Sequence, residues 1–356
     1  MKTKNLKHLL ATFSVVLFFS ATGMATVWRV NNTAAFNQFT GSPPFEVFSS
    51  ITQAIGDPDV LPGDTLYIES SGTNYGAVSL NKRLTIIGTG YFLSNNTGLQ
   101  HNQTSAIINS LTFAAGSSGS TITGLNVSGS GGSAVFLANA NLDSITITRC
   151  FIDGEISFQN QAGIVHNRII ITKNFITSRI TQPGGAPGTI TNLIFTNNRL
   201  GWDLNFHGTN HHGVVSNNAL AGSINIQANI SFTNNITTGG TIVQNNNSDS
   251  NMRYNLFSIS QPAWLTGGNN NFGVPATTIY PATGTPDKIF DPNPIAICPQ
   301  CYLGFPGGTE LGMFGGNDPY IPSGIPNIPT IYYLLAPPNA PQGGSIQGTI
   351  STRSNN

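Results

Sequence analysis

The 356 residues carry only 8% charged side chains, 14 basic against 14 acidic, so the formal net charge is zero. A typical globular chain carries roughly 25%, and with no basic run in this one, nucleic acid and acidic membrane surfaces are poor partners. Three cysteines are too few for a disulfide framework, while abundant Ile, Val, Thr and Phe set the chain apart from disordered ones. At the start, Lys2, Lys4 and Lys7 precede an apolar run from Leu9 to Phe19, followed by Gly23, Met24 and Ala25. This order predicts a secretory signal over residues 1–25, cleaved after Ala25. The apolar run is well short of the ~20 residues a bilayer crossing needs, and no later segment comes closer, so no membrane span is expected.

Thr26 to Val30 alternates like a strand. Apolar residues at Phe45, Phe48, Ile51, Ala54 and Ile55 predict a short amphipathic helix over 45–55, lying across the first coil of a repeating structure. Leu61 to Asp64 then turns into a first full strand, Thr65 to Ile68. Further on, one pattern recurs: Ile147–Ile152 (ITRCFI), Ile171–Ile176 (ITKNFI), Phe195–Leu200 (FTNNRL), Val215–Leu220 (VSNNAL), Phe232–Ile236 (FTNNI) and Met252–Phe257 (MRYNLF). Each unit has a short alternating strand, a two-residue corner and a second short strand, with no helical period. Strands repeating in one direction every ~20 residues without crossover helices must stack as coils. The fold class is therefore all-β, a single right-handed parallel β-helix of ~11 coils with neighbouring strands ~4.8 Å apart. Asn174, Asn198, Asn218, Asn235 and Asn255 fall in one corner column, where amide side chains can satisfy backbone groups the turn leaves unpaired. Cys150 holds the same column position and reads as a buried filler.

The β-helix with its N-terminal cap is expected over 26–290. Dense proline from Pro281 to Pro306 forbids a regular ladder, so 291–336 reads as an irregular Pro/Gly-rich cap packed on the last coils. The tail 337–356 is polar, with one strand at 345–351.

Several stretches carry a resemblance. Val27–Asn32 (VWRVNN), Leu61–Glu69 (LPGDTLYIE) and Lys82–Leu93 (KRLTIIGTGYFL) look like the start of a known family, and Gly312–Tyr320 (GMFGGNDPY) with Ile325–Tyr332 (IPNIPTIY) look like its end. Over nearly the whole mature chain they resemble exported right-handed β-helix proteins of the pectin-lyase-like superfamily, of the sort common in Bacteroidetes-type bacteria. The resemblance implies the fold and export. Many such members have no established activity; those that are enzymes cleave acidic or neutral polysaccharides, which makes polysaccharide the partner to test.

A lyase site needs carboxylates holding calcium and an Arg or Lys base, and a hydrolase needs paired acids. Glu155, Arg179 and Asp203 are equally spaced and occupy equivalent positions in three successive coils, with Asp153 beside them and His207, His211 and His212 close behind. The column reads either as a polysaccharide-contacting groove or as an acid–base–acid ladder that neutralises itself on the surface. Gly208 to Gly213 looks like a turn, which makes these histidines exposed loop residues, with zinc as the metal reading. Cys298 and Cys301 lack a second pair to complete a zinc site and fit a tight disulfide in an oxidising compartment. No calcium repeat, nucleophile elbow or phosphate loop is present, so no cofactor is expected. Thr148, Thr172, Thr196, Ser216 and Thr233 share an outward column, but its partner, Thr146, Ile170 and Ile194, loses its hydroxyls after Thr146, and a two-column ice-binding face needs them throughout. The expected function is an exported non-catalytic scaffold or carbohydrate-contacting surface protein. The alternatives are a polysaccharide lyase or glycoside hydrolase, and a structural solenoid for protein–protein or surface contacts.

Overall fold

Strand succeeds strand with inward β-branched residues alternating with outward polar ones, and the coils these strands build are stacked in register. The computed structural model describes residues 25–33, 47–129, 132–138, 140–159, 162–182, 188–206, 210–227, 229–336 and 347–355. The expected export signal lies outside them except for Ala25.

The architecture is a right-handed parallel β-helix. Three long parallel sheets of 11, 8 and 7 strands run along the rod, with a smaller three-stranded sheet beside them. A representative coil passes from Thr146–Thr148 in the first sheet to Phe151–Ile152 in the second and Glu155–Phe158 in the third. Register is fixed by what points inward. Leu66, Ile86, Ile122, Ile147, Ile171, Phe195, Val215, Phe232 and Met252 pair successively, and all are buried. A one-residue slip in any strand would turn that stack out to solvent.

At the corner between the first and second sheets the asparagine column forms as expected. The main-chain N–H of Asn174 donates to Oδ1 of Asn198 (2.9 Å), and the same bond recurs from Asn198 to Asn218 (2.9 Å), Asn218 to Asn235 (3.0 Å) and Asn235 to Asn255 (2.9 Å). Each amide nitrogen also donates to a carbonyl of the preceding coil, as Asn198 does to Ile171 (2.9 Å). Cys150 caps one end through its N–H to Asn174 (2.9 Å), and Asn270 closes the other by accepting from Asn255 (3.0 Å). Asn270 lies outside the repeat pattern, so spacing does not mark it as a rung.

The N-terminal helix is shorter than expected, Ile51–Gly56 rather than 45–55. Val47–Phe48 instead pairs as a strand with Val27–Val30, which lies between it and Thr65–Ile68. The helix start is set by the N-cap Ser50, whose Oγ accepts from Gln53 N (3.1 Å), while Gln53 Oε1 reaches past the cap to accept from Ser49 N (3.3 Å). Asp64 ties this end together, accepting from Thr26 N (2.8 Å), Trp28 Nε1 (2.8 Å) and Leu61 N (2.9 Å).

The C-terminal segment is irregular, and it covers more than the last coils: it runs back along the rod as a strap. Asn234 Nδ2 donates to Phe305 O (2.7 Å), Asn197 Nδ2 to Gly315 O (2.8 Å), and Lys173 pairs with Asp318. Arg149 then reaches Ile325 O (2.8 Å), and Tyr91 N donates to Ser323 O (2.9 Å). The strap anchors are the corner residues one place before the ladder column. Arg149, Lys173, Asn197, Asn217, Asn234 and Tyr254 all adopt positive φ, between 54° and 58°, which turns their side chains out of the coil toward the strap. Aromatic contacts among Phe92, Phe151, Phe175 and Phe290 fill the seam. Beyond the strap, Thr330–Leu335 pairs antiparallel with Thr349–Arg353. Among the described residues no helix is long and apolar enough to cross a membrane.

Candidate functional site

The turn from the second sheet to the third is where the predicted charged column stands. Pairing of Ile156 with Ile180, and of Ile180 with Leu204, places Glu155, Arg179 and Asp203 at equivalent points of three coils. The coils approach closely here because Gly201 has no side chain: a Cβ at that position would lie 1.9 Å from Thr177 O. The turns leave a cleft of about 570 Å³ lined by Asp153, Glu155, Thr177, Ser178, Arg179 and Trp202 among others.

Within the cleft, Arg179 Nε donates to Glu155 Oε2 (2.6 Å). The Glu155 side chain is largely covered, at 16% exposure, and that of Arg179 is open, at 51%. Thr177 Oγ1 donates to Asp153 Oδ1 (2.9 Å). Asp203 does not complete the ladder. Its Oδ1 accepts from Ser223 N (2.8 Å) in the next coil, because that part-buried main-chain donor needs a partner more than the exposed, already paired guanidinium does. The expected acid–base–acid column is thus one ion pair with a third residue turned away.

Trp202 is not among the residues that spacing singles out, yet it dominates the cleft wall with 62% of its surface exposed. It aligns with Gly154 and Ser178 of the preceding coils, so no aromatic column announces it. The available signal is a lone large aromatic in a turn between Gly201 and Asp203, where burial is not on offer.

The remaining candidates sit elsewhere. His207 lies outside the described residues. His211 is not an exposed loop residue. It is buried, its Nδ1 accepts from Ile190 N (3.0 Å) and its Nε2 meets Gln182 Oε1 at 2.6 Å. Its ring supplies an acceptor the interior lacks, which holds it in the core while His212 faces solvent. Among the described residues, no three His, Cys, Asp or Glu side chains converge to hold a metal ion. Cys298 and Cys301 are joined as a disulfide inside the C-terminal cap, packed with Leu311 and Ile279. Burial pushes the Cys150 thiol up to about 12, so it stays protonated and unreactive.

Comparison of the chain with protein-family models, with curated proteins and with solved structures finds no match.

Proposed function

We propose that the chain is an exported carbohydrate-contacting β-helix of pectin-lyase-like type, and that the cleft at Trp202 binds saccharide without cleaving it. The observation that carries this reading is the exposed indole beside the Glu155–Arg179 pair. An aromatic face takes the apolar C–H side of a sugar ring, while neighbouring donors and acceptors take its hydroxyls. The outer N–H groups of Arg179 and the hydroxyls of Thr177 and Ser178 supply that second part. The three carboxylates are engaged by Arg179, Thr177 and Ser223, which favours holding a ligand over proton transfer to it. Two acids against one arginine make the cleft lining net negative, which favours a neutral saccharide over an acidic one. Export rests on residues 1–25 and is supported by the Cys298–Cys301 disulfide.

Titration with neutral tetrasaccharides of β-linked glucose, xylose, mannose and N-acetylglucosamine tests the site. Trp202→Ala is expected to weaken the best of them at least about tenfold, roughly 1.4 kcal/mol. Equal affinity in wild type and Trp202→Ala would remove the cleft from the account.

A further inference from the structure

A second cleft, about 350 Å³, lies on a different corner of the rod, lined by Ser231, Thr233, Asn234, Ser250, Arg253, Tyr254 and Phe305. It has a different charge. No acidic residue lines it, and Arg253 has no carboxylate partner among the ion pairs of the described residues. Asp249, the acid nearest in sequence, faces the Gly267 backbone instead. The outward column of Thr148, Thr172, Thr196, Ser216 and Thr233 ends on Arg253, so the guanidinium stands beside a row of hydroxyls.

The aromatic wall is built and held. Tyr254 and Phe305 stack with centroids 5.1 Å apart, and the Arg253 guanidinium lies 5.3 Å from the Tyr254 ring centre. Phe305 is 60% exposed, but its backbone is fixed at both polar groups by one side chain. Phe305 N donates to Asn234 Oδ1 (2.9 Å), and Asn234 Nδ2 donates to Phe305 O (2.7 Å). Asn234 is itself rigid, since it is a buried corner residue in the coil. An exposed aromatic whose position is fixed by two such hydrogen bonds offers a preorganised face.

We propose that this cleft is a second saccharide site, for a sugar ring bearing an anionic substituent, a sulfate ester or a carboxylate. Arg253 pairs with the anion, as a guanidinium does with planar or tetrahedral oxyanions. Ser231, Thr233 and Ser250 donate to its remaining oxygens, and the ring lies against Phe305. The site is separate from the Trp202 cleft and does not depend on it.

Calorimetric titration of the full-length mature protein would compare three probes: a sulfated galactan tetrasaccharide, its unsulfated counterpart and tetragalacturonate. With the neutral-saccharide cleft removed by Trp202→Ala, at least one anionic probe is expected to bind at least about tenfold more tightly than the neutral one. Arg253→Gln should erase that difference, Phe305→Ala should weaken the anionic probe several-fold, and Trp202→Ala should leave it unchanged. Raising the salt concentration should weaken it too. Preference for the sulfated probe assigns a sulfate ester, and preference for tetragalacturonate a carboxylate. The proposal is overturned if neither anionic probe binds, if the neutral galactan binds Trp202→Ala protein equally well, or if Arg253→Gln keeps wild-type affinity with native circular dichroism.

Discussion

Asn198→Leu is expected to destabilise the rod by about 3 kcal/mol, the sum of two buried main-chain groups left without partners. The Asn198 carboxamide oxygen accepts from Asn174 N (2.9 Å) and its nitrogen donates to Ile171 O (2.9 Å), and the residue is fully buried. Leucine fills the space and answers neither group. Because each coil touches only its neighbours, the damage should centre on the coils of Asn174 and Asn218. Chemical denaturation is the measurement: a lower midpoint is expected. Thr196→Val, at the end of the strand leading into the same corner but facing outward, should leave the midpoint nearly unchanged. An unaltered midpoint in Asn198→Leu would contradict the ladder as a source of stability.

Asp287→Ala should be of similar size, about 3 kcal/mol, and should act on the strap. This carboxylate is fully buried. It accepts from Ser323 N (2.7 Å) on the strap and from Asn96 Nδ2 (3.0 Å) on the coils, as well as from Lys288 N and Thr285 Oγ1 (both 3.0 Å). Alanine leaves Ser323 N dry and takes one of two acceptors from Asn96 Nδ2, which keeps Ser323 Oγ (2.9 Å), and hydrogen bonds to a charged acceptor contribute more than neutral ones. The Tyr91–Tyr320 hydroxyl contact of 2.6 Å sits in the same pocket, so loss of Asp287 should loosen it as well. Limited proteolysis is expected to cut the variant between 303 and 330 well before the coils. Wild-type protection of that segment would show that the strap is held without Asp287.

The coils are legible in the sequence because one environment repeats. Ile147, Ile171, Phe195 and Val215 answer the same inward position, and Asn174, Asn198, Asn218 and Asn235 the same corner, so spacing alone aligns them. The strap is not legible, since it has no period and is held by the residues just before the column, whose identities range from Arg149 to Tyr254. Their shared property is a positive φ, which Asn adopts readily but Arg, Lys and Tyr seldom do. At the cleft, spacing finds Glu155 and Arg179. It overreaches at Asp203, where an unpaired backbone donor in the next coil competes for the carboxylate. It misses Trp202, since a single residue makes no column. His211 is misplaced for a related reason: its flanks read as a turn, and only the three-dimensional neighbourhood shows Ile190 N and Gln182 waiting for a ring nitrogen.

Whether the Trp202 cleft holds saccharide without cutting it is tested most directly by following binding and cleavage together. Wild-type protein would be incubated with the tightest-binding neutral oligosaccharide and, separately, with polygalacturonate. Binding would be followed together with the release of new reducing ends and of unsaturated uronate. Saturable binding of the neutral oligosaccharide, weakened in Trp202→Ala, is expected, with no cleavage of either substrate above the buffer blank. Cleavage of either one by the wild type, lost in Arg179→Lys while the fold is kept, would contradict it.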